Sequence, residues 1–205
     1  MKRVLILFLT ILVGCNNNMK KGVDVKAEAK NQTVNGLKEG IWLQFIDNAQ
    51  QTTSDTNAPF FYIHDYKNGK LNGKIKGYYK NGKLWDVFTF VDGRKQGEEK
   101  GYFESGVLRC ELYYVNGKLE GIQKTYYETG ILHTEEPMQD GLPNGIQRSY
   151  YTNGKLYKET PYVSGKIDGT ETTYNGDGSK WMEATYQKGE RIGGKLYDQN
   201  GDEVK

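Results

Sequence analysis

Only two cysteines, two histidines and four prolines occur in the 205 residues. Cys15 and Cys110 are the sole thiols, and His64 and His133 stand far apart, so no zinc-ligand spacing exists. Hydrophobic residues make up 36% and mean hydropathy is −0.77, which excludes a thick core of Leu, Ile and Val. No segment of ten or more residues spaces its apolar positions by three and four, so no amphipathic helix is expected. The longest apolar run, Val4–Val13, is ten residues. A bilayer core of ~30 Å needs roughly 20 residues as helix. Neither sign of charge dominates: 28 Lys plus Arg face 26 Asp plus Glu. That balance gives no electrostatic footprint for nucleic acid and no polybasic patch for anionic lipid. Gly-x-x-x-Gly recurs, but without a following helix, so it is neither a dinucleotide-binding nor a phosphate-loop signal. Asn175-Gly176-Asp177-Gly178 brings too few oxygens for calcium. No catalytic residue, metal or cofactor is expected.

The first residues read as an address. Lys2 and Arg3 precede the apolar run, and its ending, Leu12-Val13-Gly14-Cys15, resembles the bacterial lipobox. Residues 1–14 are read as a lipoprotein signal peptide, and Cys15 as the residue that carries the lipid. Removal of Lys2 and Arg3 with the signal leaves 26 basic against 26 acidic side chains. Acylation of Cys15 leaves Cys110 as the remaining thiol, which rules out an intramolecular disulfide. Cys110 itself reads as a small, half-buried strand residue. Residues 15–34 hold the lipidated Cys and a polar tether without apolar period. The expected location is the bacterial cell envelope, lipid-anchored, with the periplasmic face of the outer membrane favoured.

What the chain has in plenty is glycine and tyrosine: 26 Gly, and 16 Tyr beside 7 Phe and 3 Trp. Aromatics at this level argue against disorder. The glycines fall in register. Gly69, Gly93, Gly117, Gly141, Gly165 and Gly189 are spaced by 24 residues, and Gly36 precedes them by 24 plus a nine-residue insertion. The insertion is expected within the polar loop 48–59. A second glycine follows each anchor by four residues, and a third follows the middle anchors by thirteen. Aromatic runs bounded by Asn-Gly and Asp-Gly read as strands and hairpins. Residues 35–205 are therefore expected to be all-β: a single-layer antiparallel β-meander array of about seven 24-residue hairpins, elongated and twisted, each leaning on its neighbours.

Asn81-Gly82 and Asn153-Gly154 suit a two-residue type I′ tip, with a looser turn around Gly-Lys-x-x-Gly linking one hairpin to the next. With that tip Tyr151 faces Leu156, Tyr150 faces Tyr157 and Arg148 faces Glu159. The same register pairs Lys124 with Glu135, Lys100 with Glu111 and Thr172 with Glu183. A charge ladder results, and carboxylates held beside Lys and Arg should titrate low, the wrong direction for a general acid. One face should be apolar, carrying Tyr79, Phe103, Tyr127 and Tyr151, the leucines 84, 108, 132 and 156, Phe90 and Tyr114, with the small column Gly77, Gly101, Thr125 and Ser149. The other should carry the ladder and a Tyr row flanked by Trp85 and Trp181. Its candidate binding residues are Tyr78, Trp85, Tyr102, Tyr126, Tyr150 and Tyr157. His133 falls in the Trp85, Arg109, Tyr157 and Trp181 column and reads as a variable surface position.

Gly145-Ile-Gln-Arg-Ser-Tyr-Tyr-Thr-Asn-Gly-Lys-Leu156 resembles the MORN-repeat variant, in the bacterial branch often labelled as antitoxins. Lys118-Leu119-Glu120-Gly121 is similar to its linking turn, and the resemblance covers about Asn35 to Gly201. It implies a non-enzymatic protein-interaction or lipid-proximal scaffold. The lipoprotein signal sets this chain apart from that branch. The expected function is a cell-envelope lipoprotein scaffold of antitoxin or immunity type, bound to the membrane through Cys15 and to a protein partner. The alternative is a module that binds cell-wall or surface glycan. If Cys15 carries the anchor, a Cys15→Ser variant expressed in cells loses palmitate labelling and moves from the detergent phase to the aqueous phase on partitioning.

Overall fold

The computed structural model describes residues 29–204. The signal peptide, Cys15 and most of the tether lie outside the described residues. Within them the chain forms one open antiparallel sheet of 21 short and long strands, with no helix. Every strong strand–strand contact is between sheet neighbours, so each hairpin rests only on the next.

One unit shows how the sequence builds all of them. The strand Gly145–Tyr150 runs to a tip and returns as Leu156–Val163. A turn at Ser164-Gly165 leads into the short strand Lys166–Ile167, and Gly169 opens the next unit. The long strand also pairs with the next hairpin, Lys158 with Thr173 and Glu159 with Thr172. The ladder register follows expectation: Lys100 opposite Glu111, Lys124 opposite Glu135, Arg148 opposite Glu159, Thr172 opposite Glu183.

The turns are the reverse of the expected pair. The linking turns are the tight type I′ ones. Asn116 and Gly117 both lie at positive φ, 52° and 84°, and Val115 pairs directly with Lys118 across them. At the tips only the glycine is left-handed. Gly154 has φ 81°, its N–H donates to the Tyr151 carbonyl at 2.9 Å, and the Tyr151 N–H donates to the Lys155 carbonyl at 2.8 Å. The Asn153 carboxamide oxygen accepts from the Lys155 N–H at 3.0 Å. This is a type I turn followed by a glycine bulge, and it consumes more residues than a two-residue tip.

The longer tip changes the faces beyond it. Leu156 opposes Tyr150, not Tyr151, and Tyr157 has no partner, because Lys158 already opposes Ser149. The same bulge recurs at Trp85, Arg109, His133 and Trp181. Opposed residues share a face. The leucine column therefore stands on the ladder face with Tyr102, Tyr126 and Tyr150, a correction to the apolar-face expectation. Trp85 moves the other way. Its ring lies 4.5 Å from Phe60 and 5.5 Å from Tyr62, and Tyr62 covers Gly77 on the side away from Tyr78. Tyr157 likewise sits 4.9 Å from Tyr151, and His133 4.4 Å from Tyr127.

The face opposite the ladder is the buried one, and it is less apolar than expected. Ile75, Phe88, Cys110, Met138 and Ala184 are buried there, but so is a polar file: Glu99 is 6% exposed, Gln123 4% and Glu171 7%. Each member of the file is satisfied, as a buried polar group must be. Gln123 accepts from the Tyr113 N–H at 2.8 Å and donates to the Glu120 carbonyl at 2.7 Å. Glu171 accepts from the Thr160 hydroxyl at 2.8 Å, and Lys95 reaches Glu99 at 2.5 Å.

Two sets of bonds stitch repeat to repeat. The N–H of each linking-turn glycine donates to the preceding linking strand, as Gly117 to the Lys95 carbonyl and Gly165 to the Pro143 carbonyl, both at 2.8 Å. At the tips, the hydroxyls of Tyr79, Tyr127 and Tyr151 donate to the carbonyls of Tyr102, Tyr150 and Tyr174. Close packing on the buried face leaves no room at Gly101, where an added Cβ would lie 2.5 Å from Arg109 Nη2 and 2.7 Å from Cys110 Sγ. Gly101→Ala should cost about 1–3 kcal/mol in a urea titration. Gly176→Ala, with nothing within 4 Å of the added Cβ, should leave the midpoint nearly unchanged.

Candidate functional site

The ladder face is built from alternate residues of consecutive strands. Its charges interleave: Lys100–Glu111 at 3.4 Å, Lys124–Glu135 at 3.5 Å and Arg148–Glu159 at 2.9 Å. Such half-exposed cross-strand pairs contribute roughly 0.2–1 kcal/mol each, enough to hold register. The Tyr row completes them. Tyr126 donates to Glu111 at 2.8 Å, Tyr150 to Glu135 and Tyr174 to Glu159 at 3.1 Å, and Tyr197 to Glu183 at 2.6 Å. The Tyr126 hydroxyl, then Lys100, holds Glu111 below the usual carboxylate range, and Lys180 with Tyr197 does the same to Glu183. Burial and the bond to Glu111 push Tyr126 up to about 12. All four carboxylates accept hydrogen bonds within one structural network.

The six candidate binding residues do not form one surface. Tyr102, Tyr126 and Tyr150 share the ladder face, half-buried. Tyr78 belongs to that face but is buried, stacked at 5.2 Å and 16° on Phe61. Trp85 and Tyr157 stand on the opposite face, for the bulge places them there. Tyr102 lines a shallow depression of about 380 Å³ with Val87, Thr89, Lys74 and Glu98.

Beside the charge row the ladder face carries an apolar row that the sequence reading passed over. Ile122 opposes Pro137 and Ile146 opposes Pro161. Tyr113 is 46% exposed, Ile122 59% and Ile146 43%, and exposed Val115 and Val163 flank them. The signal was present in Pro137 and Pro161. A proline inside a central strand needs a local break in the ladder. Here the bulges at Gly145 and Gly169 supply it, and an added Cβ at either glycine would press on that proline at 3.1 Å.

The buried face holds a charged cluster at Asp86, Glu99, Lys95 and Arg109. Lys95 Nζ lies 4.3 Å over Phe88 and 4.9 Å over Tyr114. Asp86 Oδ1 and Arg109 Nε have no hydrogen-bond partner among the described residues. Burial, then the Glu99 charge, pushes Asp86 up to about 7, against the opposing pull of Lys95 and Arg109. Burial also raises the Cys110 thiol, so it is not a ready thiolate. Cys110 is buried rather than half-buried as expected, with 6% of its surface exposed. Among the described residues no three His, Cys, Asp or Glu side chains converge to hold a metal.

An open sheet of similar tandem hairpins, with an exposed mixed face and a stitched interior, is the architecture of a repeat scaffold. The family model for the MORN repeat variant matches residues 71–92, 95–116, 119–140 and 143–164. Residues 71–164 are thus four tandem MORN-variant repeats, each match spanning one bulged hairpin from its linking strand to the end of the long strand. MORN repeats are in general a non-enzymatic module. No curated protein matches the chain.

The Asp86 carboxyl titrates higher folded than unfolded, so the folded state holds the extra proton. Its contribution to stability is full below the unfolded carboxylate range and is lost as pH rises towards about 7. Asp86→Asn should flatten the pH dependence of the melting temperature between about 4 and 7 and stabilise the protein above neutrality, by on the order of 1 kcal/mol or more.

Proposed function

We propose that the protein is a non-enzymatic, lipid-anchored component of the bacterial cell envelope whose repeat sheet binds a protein partner in the manner of an immunity or antitoxin protein. The observation that carries the reading is the exposed apolar row Tyr113, Ile122 and Ile146 on the ladder face. Contiguous apolar surface bordered by charge is what interaction sites present. The hairpins that carry Ile122 and Ile146 are tied to each other at both margins, by the linking-turn bonds and by the Tyr127 hydroxyl, so little entropy is lost when a partner docks. The lipobox ending at Cys15 supports the anchor, and the polar tether would let the sheet stand clear of the bilayer. Side-by-side charges of both signs supply orientation rather than raw affinity.

Crosslinking in intact cells followed by purification of the acylated protein tests the reading. One stoichiometric protein partner is expected. An Ile122→Asp/Ile146→Asp double variant should keep its β-sheet circular dichroism and lose that partner, because each anchor of this size contributes about 1–2 kcal/mol or more at an interface core. Undiminished recovery with the folded double variant would place binding elsewhere.

A further inference from the structure

The N-terminal end of the sheet holds a cavity of about 440 Å³ that the scaffold reading does not use. Its walls come from the strands Leu37–Ile46 and Phe60–Lys67 and from the insertion. Trp42 and His64 are cross-strand partners. The Trp42 and Tyr66 rings meet edge to face at 5.9 Å, and His64 lies 5.9 Å from Tyr66. Lys38 Nζ sits 4.6 Å over Trp42 and 4.8 Å over Tyr66. Gln44, Thr52 and Ser54 add an amide and two hydroxyls to the lining.

Two further observations give the cavity a character. Both ring nitrogens of His64 are shielded from solvent and lack a hydrogen-bond partner among the described residues. Burial, then the Lys38 charge, lowers His64 to about 4, and no carboxylate contributes to that shift. At neutral pH the imidazole is therefore uncharged, with one nitrogen a donor and the other an acceptor. Among the described residues, the one charge that acts on it is that of Lys38. Aromatic walls, a few polar groups and one cation, in a volume within the usual range for ligand sites, describe a pocket for a small hydroxylated anion.

We propose that this cavity binds a sugar acid: a ring that packs its C–H side into the corner between Trp42 and Tyr66, meets the Gln44, Thr52 and Ser54 groups with its hydroxyls, and turns its carboxylate to the Lys38 ammonium beside it. The inference goes beyond the scaffold reading and does not rest on it, since the apolar row of Ile122 and Ile146 lies on other repeats. The ammonium accounts for the preference for an anion over the neutral sugar, because a charge-assisted hydrogen bond is about twice as strong as a neutral one.

The test is calorimetric titration of the full-length protein with glucuronate and with glucose. Glucuronate should bind saturably, and glucose roughly tenfold more weakly or worse. Lys38→Met removes the ammonium but keeps an unbranched apolar side chain of similar length, and should remove the preference in a protein that still melts cooperatively. His64→Phe removes two shielded, unpartnered nitrogens that the proposed pose does not use, so it should fold at least as stably and keep the preference for glucuronate. Absence of saturable glucuronate binding up to about 10 mM by folded protein overturns the proposal. Equal glucuronate affinity in wild type and in Lys38→Met overturns it as well.

Discussion

The array depends on the bond that each linking-turn glycine makes to the turn before it. A single-layer sheet has no second layer to press its strands together, so neighbouring hairpins must be tied at their ends. The left-handed turn Asn116-Gly117 points the glycine N–H outward to the Lys95 carbonyl, and the same bond repeats at Gly93, Gly141, Gly165 and Gly189. A residue with a side chain adopts that backbone only under strain, which is why glycine recurs at this position. The opposite margin is tied by tyrosine hydroxyls. Where Phe103 replaces tyrosine the hydroxyl is lacking, and the remaining ties bear that repeat.

With both margins secured, the two faces take different parts. The buried face cannot rely on aliphatic burial, and it builds its interior from a hydrogen-bonded file of Glu99, Gln123 and Glu171 beneath aromatic rings. A satisfied polar interior specifies register sharply, because a slip would strand each member without its partner. It also concentrates titratable groups, and Asp86 beside Glu99 carries the charge that is least comfortable there. The ladder face, free of that burden, exposes charge and apolar surface side by side, and it is the face on which the proposed partner would dock. The first repeat departs from the rule. Its insertion folds back beside Trp42 and His64 and closes one side of a cavity there.

The periodic elements were legible in residues. The 24-residue spacing of glycine, the all-β class, the hairpin unit and the pairs Lys100–Glu111, Lys124–Glu135 and Arg148–Glu159 all follow from pattern and turn chemistry. The candidate surface was legible only in part. Tyr102, Tyr126 and Tyr150 do share a face with the ladder, but Tyr78 is consumed by Phe61, and Trp85 and Tyr157 are turned away. The error has one source. Asn-Gly occurs at tip and linker alike, and whether Asn joins Gly in the left-handed region is decided by the twist and length of the flanking strands. A tip longer than two residues, with the bulge at Trp85, Arg109, His133, Tyr157 and Trp181, reverses the assignments on the return strand between the tip and the ladder and leaves those on the outgoing strand in place.

By itself the sequence determined what repeats: glycine where the backbone must be left-handed, aromatics where strands must pack, alternating charge where strands must align. Those are local or one-step cross-strand demands, and a period carries them. Tertiary structure alone decided which side each column faces, because a face depends on the parity of residues summed through every turn and bulge, and one extra residue inverts it. It alone decided too that Ile122 and Ile146 form a row, since neighbours in a row come from different hairpins. The cavity beside His64 belongs with these, for it needs the insertion to close against two strands whose sequence gives no sign of the enclosure.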